Sequence, residues 1–451
     1  MEKLNMRLTF YDALTGLPKL NIFKNKIIDL IKHRTGKQNA GLDKFAIAYI
    51  DIDNFKYLKD TLGSKASDEV IKCVANYLID ISKDSYFVAR TAIDKFAIIF
   101  TEVKSNIELL ETIEEIINNV CNTTSTNNVF YITMSAGIAL YPDHGRDINS
   151  LMQNTETALY SAKKAGKDIK IYSDKLQNDI TDHVQMVNKL QTGLEKGEFT
   201  LFYQPEYNLE TNEIIGVEAL VRWFHPANGY ISPELFIPIA EKSKQIYALE
   251  RWIVNAALQQ KKQWETDGLG HIELSINLSS KTLESESNFQ KIVKIFSSYK
   301  VNYSKIIIEV TETIIITNVD LAMERLNRLR KLGVKIALDD FGTGYSSLTH
   351  LMKLPIDIIK IDRSFIKSIP YGSEETAITK NVLSMAHDLN FRVVAEGIET
   401  MEQLEYLKTI SCERGQGFLL CIPLPPEKVV EVLRAKYLKY IVCDNGISQN
   451  L

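Results

Sequence analysis

The stretch GVKIALDDFG, Gly333 to Gly342, climbs through an apolar segment into two adjacent acids, Asp339 and Asp340, and on into the loop FGTGYSS (341–347). A short apolar run bounded by turn residues reads as a buried strand. Its acids then stand at a strand end, beside a flexible loop. Taken alone, an Asp-Asp pair is more often a helix cap or a solvated turn. The pattern is not alone, however. Short apolar runs, each followed by a helical stretch, recur at EIIGVEALVRW (213–223), HIELSINLS (271–279), KIIIEVTE (305–312), IDIIKID (356–362), FRVVAEGIE (391–399) and GQGFLL (415–420). Repeated strand–helix units predict a parallel sheet, and this many of them predict a closed, TIM-like (β/α)8 barrel over residues 197–440.

Every one of these runs finishes in a side chain of a type that binds metal or phosphate: Glu218, Asn277, Glu309, Asp339 with Asp340, Lys360, Glu396 and Gln416. In such a barrel the C-terminal strand ends converge on one rim. Several carboxylates gathered there repel one another unless cations are present. An oxygen-only set, with no His or Cys, selects Mg²⁺ or Mn²⁺ over zinc. Asp339 and Asp340 suit a bridge between two metals about 3.5–4 Å apart, the arrangement that activates water for in-line phosphodiester displacement. A lysine on a strand is usually a snorkelling surface residue. Only its place in the set marks Lys360 as a group that orients water or stabilises the phosphorane.

Outward from this region, the 451 residues imply two or three domains, and 45% hydrophobic with 24% charged residues is a globular balance. A net charge of −4 argues against a protein that coats duplex nucleic acid. Residues 1–172 alternate strand-like runs, FAIAYIDID (45–53), DKFAIIF (94–100) and VFYITMSAGIAL (129–140), with amphipathic stretches at 67–81 and 106–121. They predict an α/β domain with a single sheet. Residues 173–196 carry apolar positions at helical intervals without proline, and Gly197 is a stop signal; they predict a connecting helix. The same segment also reads as the first helix of the second domain.

Five scattered cysteines, Cys73, Cys121, Cys412, Cys421 and Cys443, lack CxxC spacing and read as reduced thiols of a cytosolic protein. No apolar run reaches the roughly 18 residues of a membrane span, and no signal peptide opens the chain. The expected location is cytoplasmic, either as a whole protein or as the cytoplasmic part of a larger sensor. The tail at 441–451 carries no readable motif.

Residues 200–426 resemble the EAL-domain family of cyclic di-GMP phosphodiesterases. The resemblance lies in YQPEYNL (203–209), EALVRW (218–223), SPELFIPIAE (232–241), SINLS (275–279), EVTE (309–312), LDDFGTGYSSL (338–348), LPIDIIKIDRSF (354–365), VVAEGIET (393–400) and GQGF (415–418). It implies that Glu218, Asn277, Glu309 and Asp339 ligate one metal and that Asp339 and Asp340 hold the second. Glu396 is implied as a metal ligand or a base, Lys360 as the group orienting the water, and Gln416 as support. Glu312 and the loop Phe341–Leu348 would couple metal binding to ordering of the pocket. Gln204, Leu220 and Arg222 would contact the dinucleotide. The implied reaction opens cyclic di-GMP to linear pGpG with two Mg²⁺ or Mn²⁺ ions, in a chain that pairs through its barrels. On this reading Glu218→Ala abolishes hydrolysis and spares the fold, because the ligand lies on an exposed rim. The alternative is a cyclic di-GMP receptor without catalysis, but receptors of that sort lack some metal ligands, whereas this chain keeps each of them.

Residues 9–172 resemble the GGDEF family, which makes cyclic di-GMP from GTP, through YDALTGLPKLNIF (11–23), IDIDNFKYLKDTLG (50–63), TMSAGIALYP (133–142) and ALYSAKKAGKD (158–168). At the place of the signature stands Ala92-Ile93-Asp94-Lys95-Phe96, without either glycine and with a lysine for the acid. Ile93 resists the backbone that glycine permits and adds bulk. Asp51 and Asp94 could hold one cation, and Lys163 and Lys167 could meet phosphates. Lys59 departs from the guanine-binding pattern and Asp68 matches it. Lys83-Asp84-Ser85-Tyr86 replaces the inhibitory RxxD. The expectation is a degenerate cyclase that binds GTP at most, in a regulatory or dimerising role.

Overall fold

The structure is a computed structural model. It describes residues 10–35, 44–82, 86–126, 132–166, 169–312, 318–342, 351–371 and 373–435. Lys83 to Ser85, Lys167, most of the loop Phe341–Leu348 and the tail at 441–451 therefore lie outside the described residues. The chain forms two compact units, Met1–Val184 and Gln185–Leu451.

The first unit is built on a five-stranded sheet of β1 (Phe45–Ile52), β2 (Tyr86–Arg90), β3 (Lys95–Phe100), β4 (Met134–Tyr141) and β5 (Ile169–Ile171), in the order β2-β3-β1-β4-β5. β1 is antiparallel to β3 and β4, and β5 is parallel to β4. Every residue of β1 and of β4 is buried. Such a strand reads as an unbroken apolar run because both sheet faces are covered. Alternate residues then serve opposite layers. Ala46, Ala48 and Ile50 join Val70, Val74, Ile113 and Ile117 on one face, whereas Phe45, Ile47 and Tyr49 join Phe23, Ile27, Leu151 and Leu159 on the other. The helices concerned are α1 (Leu20–Thr35), α2 (Phe55–Ile81, interrupted at Gly63), α3 (Asn106–Thr126) and α4 (Ile148–Ala165). α4 approaches the sheet so closely that a Cβ on Gly137 would fall 2.0 Å from Leu159 N. Strands β2 and β5 escaped the sequence reading because five and three residues are too few to carry a period.

Helix α5 (Asp174–Lys196) ends at Gly197, whose φ of 70° is one that glycine adopts at little cost. The division between the units falls within it, and Leu190 near its end is wholly buried in the second core.

The second unit is a closed barrel. Its strands are β6 (Phe199–Asn208), β7 (Ile214–His225), β8 (Gly229–Ile231), β9 (Glu273–Asn277), β10 (Ile306–Thr311), β11 (Lys335–Phe341), β12 (Ile358–Ile361), β13 (Arg392–Ala395) and β14 (Arg414–Gly415). They follow the order β6-β14-β13-β12-β11-β10-β9-β7-β8, and a β6–β7 pairing closes the ring around eight strands, with β8 as a hairpin extension. The barrel is thus the expected one, with one correction: it is not parallel throughout. β6 runs antiparallel to both β7 and β14. The connection from Asn208 to Ile214 is too short for a crossover and permits only a hairpin. Asn208 Oδ1 accepts from Glu210 N and Thr211 N, and Asn212 takes a φ of 57°, so the sequence LETNE builds the turn.

The surrounding helices include α6 (Pro233–Lys242), α7 (Ile246–Thr266), α8 (Ser280–Glu284), α9 (Glu286–Ser298), α10 (Val319–Arg330), α11 (Arg363–Lys367), α12 (Ser373–Asp388), α13 (Met401–Thr409) and α14 (Pro426–Ala435). Among the described residues, no helix is long and apolar enough to cross a membrane.

Candidate active site

Seven strands deliver the site. Glu218 comes from β7, Asn277 ends β9, Glu309 comes from β10, Asp339 and Asp340 from β11, and Lys360 from β12, while Glu396 and Gln416 follow β13 and β14 directly. Period-two alternation sends Glu218, Leu220 and Arg222 to one face of β7. The β6–β7 register sets Gln204 beside Glu218 and Phe202 beside Leu220.

At the centre is Lys360, 1% exposed. Its Nζ lies 2.6 Å from Glu396 Oε1, 2.8 Å from Glu309 Oε2, 3.3 Å from Glu218 Oε2 and 3.6 Å from Asp339 Oδ1. One ammonium therefore serves four carboxylates. Burial alone would push its proton off, but Asp339, Glu218, Glu309 and Glu396 outweigh burial and hold its pKa well above the ordinary lysine value. The acids divide accordingly. Burial would raise Glu218, yet Lys360 together with hydrogen bonds from Gln416 and Asn277 keeps it low. Burial and the charge of Glu218 raise Glu309 well above the carboxylate range, against the pull of Lys360. Burial pushes Glu396 up to about 8 despite Lys360, and burial with Asp339 pushes Asp340 up to about 6.

Neighbours on a strand normally point to opposite faces. Asp339 and Asp340 do not, because Asp340 adopts φ 55° and the β11–β12 register slips between Leu338 and Phe341. As a result, oxygen atoms of Asp339, Asp340 and Glu396 all lie within 4.8 Å of one another. This oxygen-only trio, with more negative charge about it than Lys360 neutralises, fits a hard divalent cation.

Around this centre, Asn277 Nδ2 donates to Glu218 Oε1 at 2.7 Å and Gln416 Nε2 donates to Glu218 Oε2 at 2.8 Å. Glu218 is 5% exposed with three donors upon it, so the expectation of an exposed rim ligand is corrected: Asn277, Gln416 and Lys360 pack around its carboxylate and bury it. Glu312 is also buried; its Oε2 accepts from Gly342 N at 3.2 Å, and its own N–H donates to Asp339 O at 3.3 Å. It thereby ties the end of β10 to Asp339 of β11 and to the start of the glycine loop. Gln204 is held at both ends, accepting from Gln416 at 2.9 Å and donating to Cys421 O at 2.9 Å. Arg222 lies over the Phe202 ring at 5.7 Å, and Leu220 is half-buried beside it. The reading of the sequence passed over Phe202, although its place two residues before Gln204 puts it on the same face.

In the first unit, Lys163 Nζ lies 2.6 Å from Asp51 Oδ1, and Lys95 Nζ lies 2.6 Å from Glu156 Oε1. Burial raises the Asp51 carboxyl even against Lys163. Ile93 is 63% exposed at the tip of the β2–β3 turn, where Thr91 N and Ala92 N donate to Lys95 O. Ala92 to Asp94 are not among the residues of positive φ, so the turn is made without the backbone that glycine would supply.

A closed barrel with one reversed strand and a buried ring of carboxyl groups about a lysine defines a class of acid-lined barrels whose candidate metal site lies at the C-terminal strand ends. The comparison with known proteins gives the particular family: residues 187–423 match the EAL domain, and residues 9–169 match the diguanylate cyclase GGDEF domain. The chain belongs to the EAL-domain family and carries a GGDEF domain ahead of its barrel. It is 32% identical over 427 residues to "Cyclic di-GMP phosphodiesterase NbdA" of Pseudomonas aeruginosa, covering 94% of this chain and 54% of that protein. It is 30% identical over 417 residues to "Cyclic di-GMP phosphodiesterase PdeR" of Escherichia coli, covering 92% of this chain and 62% of that protein. The chain thus spans little more than half the length of these curated relatives. Among solved structures it resembles "PaMucR Phosphodiesterase, c-di-GMP complex", with a TM-score of 0.53 and 36% identity over 54% of this chain and 99% of that one.

Proposed function

We propose that the barrel hydrolyses cyclic di-GMP to linear pGpG with two Mg²⁺ or Mn²⁺ ions, and that the GGDEF domain makes no cyclic di-GMP. The observation that carries this reading is the Lys360-centred ring, in which Asp339, Asp340 and Glu396 converge beside Glu218, Glu309 and Asn277. Relatives named as cyclic di-GMP phosphodiesterases support the choice of substrate.

Glu218, Asn277, Glu309, Asp339, Asp340 and Glu396 would hold the ions. Bound there, divalent ions supply a hydroxide at neutral pH and neutralise charge on the phosphodiester. Lys360 orients the attacking water and stabilises the oxyanion, because its proton is held firmly by its neighbours. Glu396, whose Oε1 lies 2.6 Å from Lys360 Nζ, would serve either as one of these ligands or as the base that takes a proton from the water. Gln416 keeps Glu218 turned inward. Arg222, stacked on Phe202, offers a guanidinium to a phosphate.

For the first domain, the departure at Ala92–Phe96 and the two lysines paired with Asp51 and Glu156 support a regulatory or dimerising role, with GTP as a ligand at most. The expected setting is cytoplasmic, with chains paired through their barrels. One experiment tests these readings together: purified chain is incubated with cyclic di-GMP and Mg²⁺ or Mn²⁺, with and without GTP, and separately with GTP alone. The expected products are pGpG in the first case and no cyclic di-GMP in the last. Cyclic di-GMP left intact at saturating metal would sink the hydrolase reading.

A further inference from the structure

Glu250 is a buried carboxyl that the site described above does not use. It stands in the second turn of α7 and is 3% exposed. Its Oε1 accepts from Ser279 N at 2.6 Å, and its Oε2 accepts from the Thr282 hydroxyl. An amide and a hydroxyl are neutral donors, which a serine or an asparagine would satisfy with a far smaller desolvation penalty. Burial accordingly pushes this carboxyl up to about 7. A group retained against such a penalty draws attention to what it holds.

What it holds is the turn that follows Asn277. Asn277 is the last residue of β9, and its Nδ2 donates to Glu218 Oε1 at 2.7 Å. The next amide, Leu278 N, donates to Glu309 O at 2.9 Å. The one after that, Ser279 N, is the amide that Glu250 accepts, and Ser279 also caps α8 by accepting from Thr282 N at 3.4 Å. The segment Asn277–Ser279 is therefore fixed on one side to a strand of the barrel and on the other to α7. With both tethers in place, the turn has little freedom to rotate the Asn277 carboxamide.

We propose that Glu250 is a positioning residue for Asn277: by clamping Ser279 N and Thr282 Oγ1, it fixes the turn after β9 so that the Asn277 carboxamide faces Glu218 and a divalent cation in the barrel mouth. This role rests on the metal-binding reading proposed above. Partners that orient a ligand are worth about tenfold or more in metal affinity even though they never touch the ion.

The test is Mn²⁺ binding by the full chain without substrate, read from the free Mn²⁺ signal in electron paramagnetic resonance. Mn²⁺ activation of cyclic di-GMP hydrolysis and thermal unfolding are measured alongside. Glu250→Met removes both acceptors at similar volume and is expected to weaken Mn²⁺ binding about tenfold. Hydrolysis at limiting Mn²⁺ falls by the same factor and recovers at saturating Mn²⁺. Glu250→Gln keeps an acceptor for Ser279 N and restores binding towards that of the unaltered chain. Ile292→Val, a core change in α9, lowers the melting temperature without moving the Mn²⁺ curve. If Glu250→Met does not fold, Thr282→Val decides, since it removes half of the clamp, and binding weakened severalfold supports the role. Unchanged Mn²⁺ affinity in the folded Met variant, or failing that in Thr282→Val, would show that the clamp serves only the fold. An unaltered chain that binds no Mn²⁺ removes the metal reading and this role with it, whereas one that binds Mn²⁺ normally beside unchanged variants removes this role alone.

Discussion

Lys360 Nζ and Glu309 Oε2 meet wholly inside the barrel, 2.8 Å apart with both side chains 1% exposed, at a point where three further carboxyl groups also reach the same ammonium. A buried pair of this kind contributes little net stability, because desolvation offsets most of the attraction, but breaking it leaves an uncompensated buried charge. Lys360→Met should therefore destabilise the barrel by about 3–5 kcal/mol in the absence of metal. Added Mn²⁺ should recover part of the loss by replacing the missing positive charge. Urea unfolding with EDTA and with Mn²⁺ measures both effects; an unaltered midpoint in EDTA contradicts the pair's importance.

On the proposed reading, removal of the Glu218 carboxylate should act on chemistry first. Glu218→Gln keeps the volume and one acceptor for Asn277 or Gln416, so it perturbs the buried ring less than Glu218→Ala. Hydrolysis of cyclic di-GMP is expected to fall by at least about 100-fold, since one donated oxygen carries metal binding and charge stabilisation together. Native-rate pGpG production by this variant would mean that Glu218 holds no ion.

Ca²⁺ should inhibit at concentrations where Mg²⁺ supports turnover. Asp339, Asp340 and Glu396 offer oxygens to either ion, but Ca²⁺ takes longer bonds and more ligands than Mg²⁺ and so disturbs the close spacing of two ions that in-line displacement needs. Competition assays at fixed Mg²⁺ read the effect, and full activity with Ca²⁺ alone would refute it.

At the opposite end of the barrel, Glu273 Oε2 lies 2.7 Å from Arg414 Nη1, and Glu273 Oε1 also accepts from Lys335. Burial would raise this carboxyl, but Arg414 and Lys335 overcome it and hold the pKa at about 2, well below the ordinary glutamate value. A depressed folded-state pKa stabilises the protein above the unfolded value, and that stability is lost as pH falls towards 2. Full protonation would forfeit about 3 kcal/mol. Urea midpoints followed downward from pH 5 should decline less steeply in Glu273→Gln than in the unaltered chain. Parallel declines would show that the bridge is not linked to protonation.

In the first domain, Gly137→Val should be severe. Its Cβ would meet Leu159 N at 2.0 Å and Thr155 O at 2.6 Å, so α4 must lift from the sheet. A loss of about 3 kcal/mol or more in that domain is expected, beyond ordinary overpacking because backbone and not side chain obstructs. Calorimetry resolves whether the transition of the first domain moves down; no movement contradicts the close approach.

The amino-acid sequence determined the alternation of apolar runs with helical stretches, and it determined that those runs end in Glu, Asn, Asp, Lys and Gln. These are local properties: a strand buried on both faces must be apolar, and residues at its end must be polar if they face solvent or a ligand. Hence the barrel, and which polar residues end its strands, could be read in advance. The reversal of β6 was missed although the short connection from Asn208 to Ile214 permits only a hairpin, because the run before that connection was not counted among the strands. The left-handed backbone at Asp340, which turns two successive acids to one side against the ordinary alternation of a strand, could not be read in advance. The meeting of Lys360 with four carboxylates, and the reach of Glu250 from α7 to the turn beyond Asn277, join residues distant in sequence. Such contacts are decided by packing, which sets what lies within hydrogen-bond reach and excludes the water that would otherwise weaken it.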